Sequence, residues 1–330
     1  MDFNSKPELT IFIPVYNEEE NIDALCSALF KVLVEVDRSF EVIIVDDGSR
    51  DGSFEKLIKI AETEPRIKII RFKKNFGQTA ALRAAVEHSQ GELFIPMDSD
   101  LQNDPADIPK LLQKIDEGYD VVSGWRKHRM DPLLSRKLPS KTANKLISCI
   151  TGVHLNDYGC SLKVYRREFL NPETLSGEMH RFLPAFAGWQ GAKICEVEVT
   201  HHPRKHGVSK YGIFRTFKVI IDLITVKLIT GYSAKPSYFF SAVGLPLIFL
   251  GGLCFVIHAY RVLVLERYQA TPLIFLTVIF TLAGLQFVLM GLLSEIQMRQ
   301  RRGLGEGFIY ITKEVVNFPK GIIQNSELRN

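Results

Sequence analysis

The sequence predicts an α/β fold, a doubly wound and mostly parallel sheet followed by an amphipathic helix and two membrane-spanning helices. Two observations carry that prediction. Between residues 10 and 123 short β-branched runs alternate with stretches of helical period, and beyond residue 238 the composition becomes that of a bilayer span. Strands separated by helices at this spacing build a parallel sheet covered on both faces, and such sheets bind ligands at the carboxyl ends of their strands.

The elements follow in order. A strand over Thr10–Pro14 precedes a helical stretch from about Glu19 to Val36. Phe40–Val45 is the second strand, with a helix after Asp51. Ile67–Phe72 is the third, followed by a helix from about Gln78 to His88. Leu93–Met97 is the fourth, and the next helix starts near Asp104-Pro105, where Asp can cap and Pro can occupy the first turn. Asp120–Ser123 is a fifth strand. From Ile213 to Ile229 the apolar positions Ile213, Phe214, Phe217, Ile220, Ile221, Ile224 and Leu228 share one helical face, with Arg215, Lys218 and Asp222 opposite. A core-facing helix is the ordinary reading of such a pattern; its place just before an apolar span favours a helix lying in the membrane interface.

Tyr238–Tyr260 and Thr271–Ser294 each reach the roughly 20 apolar residues needed to cross a bilayer. Pro246 inside the first is tolerable in a bilayer helix. The link between them, Arg261–Ala270, is too short for a domain, so the chain crosses and returns. Lys227 and Lys235 precede the first span and Arg299, Arg301 and Arg302 follow the second, whereas the link carries Arg261 and Arg267 offset by Glu266. The positive-inside bias then puts both termini in the cytoplasm.

Composition narrows the function classes. Forty-one basic against 37 acidic residues leave a formal charge of +4 with no basic stripe along one element, which argues against a nucleic-acid partner. Basic residues beside the spans suit an anionic lipid surface. Five cysteines, odd in number and without CxxC spacing, argue against a disulfide framework or zinc site and for a reducing compartment. Residues 1–8 are polar, with no apolar stretch resembling a signal peptide.

Three strand ends carry the polar residues. Asp98-Ser99-Asp100, with Gln102 close behind, ends the fourth strand. Two carboxylates one residue apart beside a buried strand are costly unless a cation fills the site, and Mg²⁺ or Mn²⁺ prefers such oxygen ligands together with substrate phosphates. Asp46-Asp47-Gly48-Ser49 ends the second strand; it reads either as a turn or as a carboxylate site for the N–H groups of a base and the hydroxyls of a ribose. Pro14, Tyr16, Asn17 and Glu18 at the first strand end would complete that pocket, although Glu18–Glu20 also suit an acidic first helical turn.

The segments Ile13–Glu18, Val45–Ser49, Asn75-Phe76-Gly77 and Met97–Gln102 together resemble the signature of family-2 glycosyltransferases. Asp157–Arg166 and His206–Tyr211 resemble the branch that acts on polyprenyl phosphates, and the likeness extends over nearly the whole chain. This resemblance implies the nucleotide-diphospho-sugar transferase (GT-A) version of the fold and an inverting transfer from a UDP- or GDP-linked sugar to undecaprenyl or dolichyl phosphate. It implies that Asp98 and Asp100 hold the divalent metal and diphosphate with Gln102 nearby, and that Pro14, Tyr16, Glu18, Asp46 and Asp47 line the nucleotide pocket. Asp157 would lie beside the reacting centre, and Arg126, Arg204, Ser209 and Lys210 would face phosphate. Arg126 also reads as a solvated basic loop and Lys210 as a turn. A phosphate monoester is largely ionised at neutral pH, so Asp157 could orient the acceptor or assist an arginine more than abstract a proton.

The expected organisation is a catalytic domain over 1–212, an interfacial region over 213–235, two transmembrane helices within 236–298 and a cytosolic tail over 299–330. Paired spans often pack against other copies, so a homo-oligomer is compatible with it. Competing readings are a glycosyltransferase with a non-prenyl acceptor and a non-catalytic nucleotide-sugar-binding scaffold. The missing Gln-x-x-Arg-Trp pattern and the presence of only two spans argue against a processive synthase, and the intact Asp pair argues against a scaffold. The motifs specify a reaction class and leave the sugar open.

Overall fold

The computed structural model describes residues 6–127, 138–203 apart from 176 and 178, 236–265, 272–301 and 312–317. The interfacial stretch 213–229 therefore lies outside the described residues. Two compact units emerge, one formed by Met1–Val219 with Phe308–Asn330 and the other by Ile220–Gly307.

The first unit is an eight-stranded sheet ordered β7-β5-β6-β4-β1-β2-β3-β8. Strands β1 (Leu9–Val15), β2 (Phe40–Asp46), β3 (Ile67–Phe72) and β4 (Leu93–Pro96) alternate with helices α1 (Ile22–Glu35), α2 (Ser53–Thr63) and α3 (Gln78–His88). Strand β5 (Val121–Trp125) follows α4 (Ile108–Asp116). These match the elements expected from periodicity. Helix α1 starts at Ile22 rather than near Glu19, because Asn17 takes a left-handed conformation (φ 55°) and residues 17–19 bond to the β2–α2 loop instead. Both faces of the sheet are buried. Leu9, Ile11, Ile13 and Val15 pack with Leu25, Leu29 and Leu33 of α1, while the alternate residue Phe12 stacks on Phe94 at 5.9 Å. That explains why these strands read as continuous apolar runs.

The later elements are α5 (Leu138–Thr151), β6 (Lys163–Arg166), α6 (Leu183–Trp189), β7 (Ile194–Glu198) and β8 (Thr312–Val316). Of these, β6 enters between β4 and β5 and is antiparallel to both, and β8 closes the opposite edge antiparallel to β3. The other pairings among the described strands are parallel. The last described residues of the chain are thus part of the sheet, where the sequence had suggested only a tail.

The second unit is a helical hairpin of α7 (Pro236–Leu263) and α8 (Pro272–Arg301). Both helices are long and apolar enough to cross a membrane, with mean hydropathies of 2.3 and 2.4. Large apolar side chains such as Phe249, Phe255, Phe275 and Leu293 stand exposed along them, a surface that suits hydrocarbon and not water. The two helices meet through small residues: a Cβ on Gly284 would lie 2.6 Å from the Gly244 carbonyl oxygen, and one on Gly251 2.5 Å from Thr281 Oγ1. Close backbone approach of this kind is how helices associate where no hydrophobic force drives them together. Ser237 Oγ donates to Glu295 Oε2 at 2.6 Å near one end of the hairpin.

Gly252 lies on the same helix as Gly251, but a Cβ added there would meet nothing within 4 Å. Gly284→Leu is therefore expected to destabilise the hairpin by about 1–3 kcal/mol, and Gly252→Leu to leave it unchanged. Thermal melting of the detergent-purified chain checks this; equal melting of the two variants would refute the close-packed interface.

Candidate functional site

The carboxyl ends of the parallel strands form one rim, and the sequence-predicted residues of 1–157 gather there. The β1–α1 and β2–α2 loops are laced together: Asn17 N donates to Ser49 Oγ at 3.0 Å, Glu18 N to Ser53 Oγ at 3.0 Å, and Arg50 N to Asn17 Oδ1 at 2.9 Å. Pro14 and Tyr16 are half-buried beside them. Glu18 accepts from Asn21 Nδ2 at 2.7 Å, so it closes the loop ahead of α1 and is not part of the first helical turn.

Asp46 and Asp47 are both buried and serve different partners. Asp46 Oδ1 accepts from Ser49 N at 3.0 Å, which makes the turn, and Arg71 Nε lies 3.3 Å from Oδ2. Burial raises the Asp46 pKa against those contacts. Asp47 accepts from Phe76 N at 2.6 Å and Gly77 N at 2.9 Å, holding the β3–α3 loop. Burial pushes its pKa up to about 6, opposed by these two bonds and reinforced by Asp46. Gly48 has φ +72°, and a Cβ there would sit 2.6 Å from the Lys74 carbonyl carbon. The Asp-Asp-Gly-Ser motif is therefore a turn and, at the same time, a buttress for residues 74–77. An open cleft beside it is lined by Tyr16, Ser49, Arg50, Lys74, Asn75 and Lys313, among others. Lys313 belongs to none of the sequence motifs.

Past β4, Asp98 Oδ1 accepts from Gln78 Nε2 at 3.0 Å, and Asp100 Oδ1 from Gln102 N at 3.2 Å. Leu101 between Asp100 and Gln102 is left-handed (φ 58°), a conformation uncommon for a bulky residue and typical of functional loops. Burial and then the Asp100 charge raise the Asp98 pKa. Among the described residues no group of three or more His, Cys, Asp or Glu side chains could hold a metal ion. Two carboxylates of this kind are hard oxygen ligands that would suit Mg²⁺ or Mn²⁺ if ligand phosphate and water completed the coordination.

Asp157 joins the rim because β6 runs backwards, so residues preceding Lys163 lie at the end where Asp98 emerges. It meets Arg126, just past β5, in a bidentate pair: Nε to Oδ2 at 2.7 Å and Nη2 to Oδ1 at 3.0 Å. Asp157 is only 3% exposed. Two residues not named individually from the sequence support this group, and a third, His180, ties its own segment to α3. Glu196 of β7 accepts from the backbone N–H groups of Asn156 and Asp157. Buried Lys163 donates from Nζ to the carbonyls of Tyr158 and Cys160. His180 Nδ1 bonds Thr79 Oγ1 at 2.8 Å, and burial lowers its pKa to about 3, so the ring is neutral. Lys163 lies inside the Asp157–Arg166 segment without being singled out there, and Glu196, in an edge strand, carries no local motif, so only proximity reveals their parts. Arg204, Ser209 and Lys210 lie outside the described residues.

Two outcomes follow. Arg126→Ala leaves the Asp157 carboxylate buried without its guanidinium and should cost about 3–5 kcal/mol, partly recovered in the Arg126→Ala/Asp157→Ala double variant. Thermal melting of the three proteins checks it; a single variant as stable as wild type would contradict the pair. For Asp47, the folded state holds the proton more tightly than the unfolded chain, whose carboxyl titrates near 3.8. Its contribution to stability is therefore greatest at low pH and falls as pH rises to about 6. The melting-temperature difference between wild type and Asp47→Asn should move against wild type across that window, and a flat difference would refute the shift.

Comparison with known proteins identifies the family. The family model described as glycosyl transferase family 2 matches residues 10–172. The chain is 41% identical over 297 residues to dodecaprenyl-phosphate galacturonate synthase of Rhizobium johnstonii, covering 88% of each chain. It is 36% identical over 290 residues to undecaprenyl-phosphate 4-deoxy-4-formamido-L-arabinose transferase of Aeromonas hydrophila, covering 87% of each. Among solved structures, glucosyl-3-phosphoglycerate synthase of Mycobacterium tuberculosis in complex with Mn²⁺, UDP and phosphoglyceric acid superposes with a TM-score of 0.52 at 16% identity, over 67% of this chain and 78% of that one, a likeness of fold. A strand-end rim bearing these motifs, and relatives of this identity and extent, show that the chain belongs to glycosyltransferase family 2.

Proposed function

We propose that this glycosyltransferase moves a sugar from a UDP-linked donor to a polyprenyl phosphate, with its catalytic unit and both termini on the cytoplasmic side of the membrane. The observation that carries the reading is the gathering of Asp47, Asp98, Asp100 and the Arg126–Asp157 pair on one rim of a chain that also has two candidate spans. Both relatives above are named for transfer to a polyprenyl phosphate. UDP rather than GDP is likewise proposed; the fold neighbour, a complex with Mn²⁺ and UDP, is compatible with it.

In this reading Tyr16, Glu18, Asp46 and Asp47, with Pro14, shape the nucleoside end of the donor site. Asp98 and Asp100 would hold Mg²⁺ or Mn²⁺, with Gln102 beside them; when bound, the ion would offset charge on the departing diphosphate. Gln78 orients Asp98. A lipid phosphate oxygen attacks the anomeric carbon as the bond to the diphosphate oxygen breaks, and a single displacement inverts that carbon. The acceptor is already largely ionised, and both Asp157 oxygens accept from Arg126. Asp157 accordingly acts by aiming Arg126 at phosphate rather than by abstracting a proton. Arg204, Ser209 and Lys210 would complete the lipid-phosphate site.

The test is radiolabel transfer by membranes carrying the chain, with undecaprenyl or dolichyl phosphate, Mg²⁺ or Mn²⁺, and a panel of UDP- and GDP-linked uronic acids, hexoses and pentoses. A lipid product that disappears with chelator and falls at least about 100-fold in Asp100→Asn is expected. Donor binding without any lipid product would remove the acceptor assignment.

A further inference from the structure

Strand β8 comes from the far end of the chain yet is fastened to the sheet by several independent contacts. It pairs antiparallel with β3, from Ile69↔Val316 to Phe72↔Thr312, with a register shift between Arg71 and Phe72. Val316 packs against the core, and Asn317 Nδ2 donates to the carbonyls of Ala61 at 3.0 Å and Ile67 at 2.9 Å. Because β8 runs against β3, its first residues lie at the carboxyl rim. Lys313 thereby becomes a wall of the cleft that Tyr16 and Ser49 also line.

The charge of that cleft is one-sided. Arg50, Arg71, Lys73, Lys74 and Lys313 border it, and among the described residues no carboxylate does. Arg71 is partly spoken for: it lies against Asp46 and stacks over the Phe54 ring at 3.9 Å. Elsewhere on the rim Asp46 and Asp157 are offset by Arg71 and Arg126, which leaves Asp47, Asp98 and Asp100 to oppose an approaching anion. A nucleoside diphosphate must approach this acidic rim carrying its own negative charge, and a bank of cations on the nucleoside side offsets the repulsion and raises local ligand concentration.

We propose that Lys313 is a donor-binding residue, supplied by the segment that follows the two spans, which draws the anionic nucleotide into the Tyr16 cleft. This rests on the nucleotide-sugar reading above. Lys313 acts through its charge on binding and not on the reacting centre, which is built from β4, β5 and β6.

The experiment uses the full chain in detergent with Mg²⁺ or Mn²⁺ and measures the affinity of UDP and of uridine for wild type, Lys313→Gln and Lys313→Arg. At a salt concentration of about 50 mM, Lys313→Gln should bind UDP roughly three- to fivefold more weakly, the effect of one partly screened charge. Lys313→Arg should match wild type, uridine should bind all three alike, and the UDP gap should close near 0.5 M salt, where screening is strong. In turnover the donor KM should rise by the same factor, with kcat and the lipid KM little changed. Equal UDP affinity of Lys313→Gln and wild type at low salt would overturn the proposal. So would a loss that persists at high salt or extends to uridine, because that reports an undocked strand rather than a missing charge. If Lys313→Gln melts early, Lys313→Thr, neutral and strand-favouring, provides the same comparison. Wild type that binds no UDP at all would instead overturn the donor reading itself.

Discussion

Strand direction is the constraint on which the site depends. A parallel strand delivers the residues that follow it to the carboxyl rim, and an antiparallel strand in the same sheet delivers the residues that precede it. Strands β1, β2, β4 and β5 bring Tyr16, Asp47, Asp98 and Arg126 by the first route. The reversed strand β6 brings Asp157 by the second, and β8, also reversed, places Lys313 at the rim within its own first residues. Two reversals in an otherwise parallel sheet thus let segments far apart in sequence meet at a single edge.

Crowding carboxylates on that edge has an electrostatic cost, and the structure offsets it locally. Each acidic group has a donor of its own: Ser49 N for Asp46, the Phe76 and Gly77 amides for Asp47, Gln78 for Asp98, Gln102 N for Asp100, and Arg126 for Asp157. The left-handed residues Asn17 and Leu101 lie in these same loops. Backbone strain is tolerated there because neighbouring hydrogen bonds over-determine the conformation. The Asp47 contacts also mean that the β3–α3 loop is part of the site, held by a carboxylate some 30 residues earlier in the chain.

The hairpin unit is organised by a different force. Its large leucines and phenylalanines stand exposed, and the helices touch where glycines allow their backbones to approach, the contact typical of candidate membrane spans. The interface of α7 and α8 is therefore built around Gly244, Gly251 and Gly284, with Phe240 and Phe287 meeting beside them.

Much of this is legible in the sequence. Periodicity alone locates β1 to β5 and α1 to α4, because these elements are buried in ways that leave continuous apolar runs and amphipathic faces. Chain direction then places Asp46, Asp47, Asp98 and Asp100 on one rim, and uninterrupted apolar length identifies the two candidate spans. The tertiary structure decided what has no local signature. Strands β6, β7 and β8 do not fall in the regular strand–helix alternation that locates β1 to β5, and their pairing with distant strands identifies them. The Arg126–Asp157 pair, the support from Glu196, and the arrival of Lys313 all rest on contacts between segments tens to hundreds of residues apart. Local sequence records burial and period; which side chain meets which is decided only when the sheet closes around them.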